Sequence, residues 1–300
     1  MYSTRTDMGE KKGFSPLEIK TSNQRKLLTG FTLVELLVVI AIIALLMSML
    51  MPALARVKKQ AKTVICQSNL RQWGAVFSMY TNDYNGHFMP NWSTGANTKH
   101  TDYWMHALRP YYSDAGDIRC CPMATKPSSE VNGHPGNSLG PFFAWGVFEG
   151  EPGQPSPWWS CVTGGDYGSY GVNGWISDPR EGAVTDASKF WRTINVRGGA
   201  RVPMFCGDQW LAGWPEPKDN PPIYENQAWN TGDVMVRLCP NRHNGYVNQV
   251  FLDCSVQKIG LKQLWTLKWH RKFKTDDFWT LAGGVRKSDW PQWMRDFKDY

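Results

Sequence analysis

Several signatures of enzymatic chemistry are missing from this 300-residue chain. It has no G-x-S-x-G elbow, no P-loop and no G-x-G-x-x-G, which argues against nucleophilic and nucleotide chemistry. None of the seven cysteines, at positions 66, 120, 121, 161, 206, 239 and 254, stands in a C-x-x-C pair, which argues against a zinc ribbon. No spaced acidic loop of EF-hand type occurs. Clustered positive charge is scarce as well. Residues 1–30 hold six Lys/Arg against three Asp/Glu, and the rest of the chain holds 27 against 23. So weakly basic a body is poor evidence for a nucleic-acid partner, which would call for a clustered basic patch, and none is expected.

Charge is scarcest from Phe31 to Leu54, where Glu35 is the only charged residue. Roughly 20 apolar residues at about 1.5 Å rise cross the hydrocarbon core of a bilayer as a helix, so this run is long enough to span one. Arg25 and Lys26 precede it, and Arg56, Lys58, Lys59 and Lys62 follow it, so the flanking charges alone do not set its orientation. Beyond Pro52 the pattern turns amphipathic. Cys66, Leu70, Trp73, Phe77 and Tyr80 recur at steps of four, three, four and three, which predicts one face of a helix continuing to about Asn82. Asn85-Gly86 and Pro90 stop it. The first element is then about 50 residues and roughly 75 Å long.

Three readings compete for an apolar run behind a basic leader. A secretory signal peptide has the A-x-A site Ala53-Leu54-Ala55 in its favour. A plain signal anchor explains the length. In the third, the leader of residues 1–30 is removed on the cytoplasmic side and the run stays on the mature chain. Glu35 separates them, because a carboxylate in a membrane helix costs on the order of a few kcal/mol unless it is paired or near the interface. A generic anchor has no use for it. A cut between Gly30 and Phe31 creates an α-amine four residues from Glu35, and in a fibre that carboxylate can pair with the amine of an incoming subunit, so that subunits add in register.

The stretch Lys26-Leu27-Leu28-Thr29-Gly30-Phe31-Thr32-Leu33-Val34-Glu35-Leu36-Leu37-Val38-Val39-Ile40 resembles the cleavage and methylation motif of type IV pilins and type II secretion pseudopilins. Pro52-Ala53-Leu54 sits where that family's helix carries its proline. The resemblance implies processing by a prepilin peptidase and N-methyltransferase, a methylated Phe31 at the mature N-terminus, and Glu35 as the register residue. It also implies, as partners, other pilin-like subunits and an inner-membrane assembly platform. A weaker copy at Lys11-Lys12-Gly13-Phe14-Ser15-Pro16-Leu17-Glu18 is followed by polar residues and reads as a decoy.

Further stretches are similar to one branch of this family, large prepilin-type proteins with a C-terminal motif of His, nine residues, then Asp-Gly. They are Cys66-Gln67-Ser68-Asn69-Leu70-Arg71-Gln72 with Met79-Tyr80 and Asp83, Cys121-Pro122, Tyr170-Gly171-Val172-Asn173, and Arg242-His243 with Asp253. Cys254 stands where the branch has Gly, so a turn expected to need positive φ is made by a less suited residue.

These readings give an α+β, pilin-like fold: a long N-terminal helix, its first half transmembrane, packed on a small antiparallel sheet with large loop insertions. Residues 1–30 form the leader, 31–54 the membrane segment and 55–300 a periplasmic or extracellular domain, anchored by a single pass in the inner membrane. Short alternating runs at Val202–Gly207, Asp233–Leu238 and Tyr246–Leu252 predict strands. Residues 91–165 read as loops with short strands, and the tryptophan-rich tail from Leu261 as an irregular cover.

His243 and Asp253 are the best-matched polar pair, since a hairpin would bring them together, either as a device fixing two strands or as a site. No cofactor is expected. Calcium is the one ion considered, through Asp166, Asp208, Asp233 and Asp253, all near turns. Cys66, on the apolar helix face, has two states open to it: a disulfide with Cys120 or Cys121, or a buried free thiol. Lys268–Lys274 reads as a solvated face or as a contact for an acidic surface. Beside the structural-subunit reading stand an extracellular binding module using the helix as an anchor, which exposed tryptophans would favour, and an exported enzyme, which would need titratable groups converging in one cleft.

Overall fold

The computed structural model describes residues 32–90, 102–112, 116–127, 140–148, 150, 154, 162–228 and 232–300. Gly30, Phe31 and Cys161 lie outside the described residues. The chain divides into two compact units, the first ending at Pro52 and the second running Ala53–Tyr300.

Helix α1 (Leu33–Asp83) is 51 residues long, with Pro52 inside it. Every residue from Thr32 to Lys62 is exposed, including the whole apolar run. By length and composition, α1 can cross a membrane. In the second unit the helix becomes one-sided: Cys66, Leu70, Trp73, Phe77 and Tyr80 are buried, while Val64, Ile65 and Met79 are exposed. Asn85 and Gly86 then take positive φ, 53° and 85°, and end the helix.

In the second unit, β1 (Trp145–Gly146) and β2 (Tyr167–Gly168) form a two-stranded antiparallel ribbon. The main sheet has five strands: β3 (Tyr170–Asn173), β4 (Pro203–Gly207), β5 (Ala212–Gly213), β6 (Tyr246–Phe251) and β7 (Val256–Gly260). Their order is β5-β3-β4-β6-β7. The β3–β4, β4–β6 and β6–β7 pairs are antiparallel. Strand β5 joins β3 in parallel, so the sheet is mixed at that edge.

Alternation along the strands divides the apolar residues between two cores, as side chains of period two must. Phe205 and Val250 face α1, where Trp73, Phe77, Trp104 and Trp145 fill the space. Cys206, Val247 and Phe251 face the other way, onto Trp265, Trp269 and Trp290 of the tail. Trp73 is the centre of the first core, with ring centroids 5.3 Å from Trp104, 5.0 Å from Tyr112 and 5.0 Å from Phe205. Gly74 sets how closely the helix approaches β6, because a Cβ there would meet Val250 Cγ2 at 3.2 Å.

One predicted strand is corrected. Residues 233–238 contain a helical turn, Met235–Leu238, rather than a strand. The Asp219 carboxylate accepts from the Met235 amide at 3.2 Å and holds the start of the turn. All four residues of the turn are buried, so the segment had no solvent face to reveal its period.

Candidate functional site

Two places carry the residues singled out in the sequence, one in each unit. At the start of α1, Thr32 precedes the first helical residue. The Glu35 carboxylate accepts from the Thr32 amide at 2.9 Å and from its hydroxyl at 2.8 Å. The Glu35 amide in turn donates to Thr32 Oγ1 at 3.2 Å. This reciprocal pattern is a capping box, which satisfies helix-end donors that would otherwise be orphaned. Glu35 therefore has a local task within its own chain, apart from any task between chains. Phe31, which the expected cut would make the first residue, is the neighbour of Thr32 in sequence.

The second place is buried in the body. Cys66 comes from α1, Cys121 from the segment after the 3-10 turn Gly116–Arg119, and His243 from the loop leading into β6. Asn69 and Trp73, on the same face of α1, hold that middle segment by donating to the carbonyls of Cys120 at 3.1 Å and Ile118 at 2.8 Å. The Cys121 amide donates to Ser169 Oγ at 2.7 Å. The Sγ atoms of Cys66 and Cys121 and a ring nitrogen of His243 all lie within 4.8 Å of one another. Both thiols are free. Cys120 is buried beside this group and offers its carbonyl to Asn69.

Burial pushes the Cys66 thiol up, but hydrogen bonding from Cys121 and His243 and the His243 charge outweigh it and hold the thiol well below its usual range. The Tyr170 hydroxyl also donates to Cys66 Sγ, at 3.2 Å. Cys121 moves the opposite way, raised by burial and by the hydrogen bond and charge of Cys66. Of the two neighbouring thiols, Cys66 is therefore the more readily ionised.

His243 and Asp253 are not brought together. They lie beyond opposite ends of β6, and Asp253 accepts from the Ser255 amide at 3.0 Å in its own turn. Cys254 takes a φ of 61°, the left-handed backbone expected of the glycine position. Its sulfur meets Ser78 Oγ at 3.0 Å. Of the four aspartates considered for calcium, Asp166 pairs with Arg109 at 2.5 Å and Asp208 lies 3.9 Å from Arg237 Nε. Asp233 accepts from Asn220 at 3.2 Å. Among the described residues none of the four belongs to a group of three ligand atoms.

Sequence reasoning left Cys66 either paired with Cys120 or Cys121 or a buried free thiol, and did not bring His243 to them; the structure shows the free thiol. Nothing in the spacing of residues 66, 121 and 243 signals the meeting. The available hint was that Cys66, Cys121, Tyr170 and His243 each fall in a stretch quoted above for its resemblance to one branch of prepilin-type proteins, and the fold gathers all four.

Residues 29–51 match the family model described as the prokaryotic N-terminal methylation motif. No curated protein and no solved structure matches the chain. The motif match, followed by a helix able to cross a bilayer, supports a membrane-anchored, single-pass protein of prepilin type.

Proposed function

We propose that this chain is a structural, pseudopilin-type subunit, cut between Gly30 and Phe31 by a prepilin peptidase and methylated at Phe31. It assembles with other pilin-like subunits on an inner-membrane platform, in a type II secretion or type IV pilus-like fibre. The observation that carries this reading is the methylation motif at residues 29–51, running directly into an exposed apolar helix whose continuation packs on a sheet. While the chain waits in the membrane, lipid covers the apolar run and the body stands on the periplasmic side. In the fibre, the same run packs against its neighbours.

The binding-module reading draws less support. No described tryptophan is exposed. In the basic run of the tail, Lys268 donates to the Phe273 carbonyl at 2.6 Å and Arg271 to the Trp191 carbonyl at 3.2 Å, while Lys272 and Asp186 form an exposed pair at 3.0 Å, so the run reads as a solvated face.

The test is assembly. Glu35→Ala is expected to leave the chain in the membrane fraction and to remove it from sheared fibre preparations. Unchanged incorporation into fibres would overturn the register role.

A further inference from the structure

We infer that Cys66, Cys121 and His243 form a binding site for a thiophilic divalent metal ion, zinc by its chemistry, within the body of the protein. The inference is independent of the proposed function and holds whether or not the chain enters a fibre.

The donor set is two sulfurs and one imidazole, which suits zinc rather than a hard ion such as calcium. The size is right. In a tetrahedral zinc site, with Zn–S near 2.3 Å and Zn–N near 2.0 Å, neighbouring ligand atoms stand about 3.5–3.8 Å apart. Here Cys121 Sγ and His243 Nε2 are 3.3 Å apart, and all three donors lie within 4.8 Å of one another. A contraction of the longer edge by about 1 Å at most closes the set on an ion.

The imidazole is already oriented for the task. The Thr63 hydroxyl donates its one proton to the Lys59 carbonyl at 3.0 Å. What it has left to offer His243 Nδ1, 3.1 Å away, is a lone pair. With the Thr63 hydroxyl donating to the Lys59 carbonyl, the neutral imidazole that matches it carries its proton on Nδ1, and Nε2, which faces Cys121 Sγ, is then the nitrogen left to ligate. A partner that holds the far nitrogen of a ligating histidine is a regular component of metal sites. Tyr170 and Asn248 support the sulfur side. Tyr170 donates to Cys66 Sγ, and Asn248, next to Cys66, has a buried Nδ2 with no hydrogen-bond partner of ordinary geometry.

Charge balance also suits a buried position. A divalent ion with two thiolates and a neutral imidazole sums to zero, so the loaded site places no net charge among side chains that are 2%, 1% and 6% exposed. Binding releases the thiol protons still present, and the ion takes their place. A small oxygen ligand completes the tetrahedron. Thr63 is half-buried, so the site lies one side chain from solvent on the helix side.

The ion would join three segments far apart in sequence: α1, the segment that carries Cys121 and the loop leading into β6. The disulfide considered from the sequence uses the same two sulfurs, so metal and disulfide exclude each other.

The experiment uses the full chain purified in detergent without chelator. Metal analysis is expected to find about one zinc per chain after dialysis against zinc. Cys121→Ser and His243→Gln are expected to lower that content at least tenfold, while Cys254→Ser leaves it unchanged. Should the variants fold poorly, cobalt(II) added to the wild-type chain provides a second readout, since a thiolate-to-cobalt charge-transfer band arises only when sulfur ligates the ion. Chelation is then expected to lower the unfolding temperature and to expose two thiols to a labelling reagent. A Cys66–Cys121 disulfide in the isolated native chain, a wild type that takes up no zinc, or equal zinc content in the wild type and a Cys66→Ser/Cys121→Ser double variant would each overturn the inference.

Discussion

The Glu35 carboxylate accepts from both the amide and the hydroxyl of Thr32, so it caps the helix of its own chain. Glutamine can close the same capping box without a charge, and alanine cannot. Glu35→Gln is therefore expected to leave the start of α1 intact, as read by amide exchange at Glu35 and Leu36, and still to impair assembly if a charge pair sets the register. Assembly that survives glutamine but not alanine would assign Glu35 to capping alone. Asp208 is a second residue whose chemistry is testable. It is fully buried, and burial raises its carboxyl to about 6 despite the charges of Arg237 and Arg242. A carboxyl raised in the folded state favours folding at low pH, and that contribution is lost as pH climbs from the unfolded value through 6. Between pH 4 and pH 7 the wild type is expected to lose about 2 kcal/mol of unfolding free energy relative to Asp208→Asn. Urea titrations at the two pH values check this, and parallel curves would refute it.

At the scale of elements, the docking of α1 on the sheet holds the first core together. Trp73 is fully buried among four aromatic rings, those of Phe77, Trp104, Tyr112 and Phe205, and its indole donates to the Ile118 carbonyl. Trp73→Ala is expected to cost about 3–5 kcal/mol, because it leaves both a cavity and an unpaired carbonyl. Gly74→Val is expected to cost about 1–3 kcal/mol, since its added atoms press on Val250 and separate helix from strand. Denaturant midpoints measure both. The helix was legible in the sequence because burial on one side imposes a period, and Cys66, Leu70, Trp73, Phe77 and Tyr80 keep it through to Tyr80. Strands β4 and β6 were legible from the turn signals that bound short apolar runs. The turn at Met235–Leu238 was not, since a short run buried on every side fits strand and helix equally well. The meeting of Cys66, Cys121 and His243 was not legible either, because it depends on how three distant segments dock rather than on any local pattern.

At the scale of the molecule, the two units contrast in solvation. The apolar run is exposed along its length, whereas the described tryptophans of the body are buried or half-buried, most of them packed in two cores. The long exposed apolar run lies in the first unit, and the methylation motif matches there. The competing export route cuts after Ala55 and discards the run, and it predicts a different mature chain in a different compartment. The two routes differ by 25 residues at the N-terminus, counting from Phe31 to Ala55. Intact mass and N-terminal sequencing of the protein from the membrane fraction test this directly. The predicted result is a chain that starts at Phe31 and carries one methyl group on its amine. A soluble chain that starts at Arg56 would contradict the account.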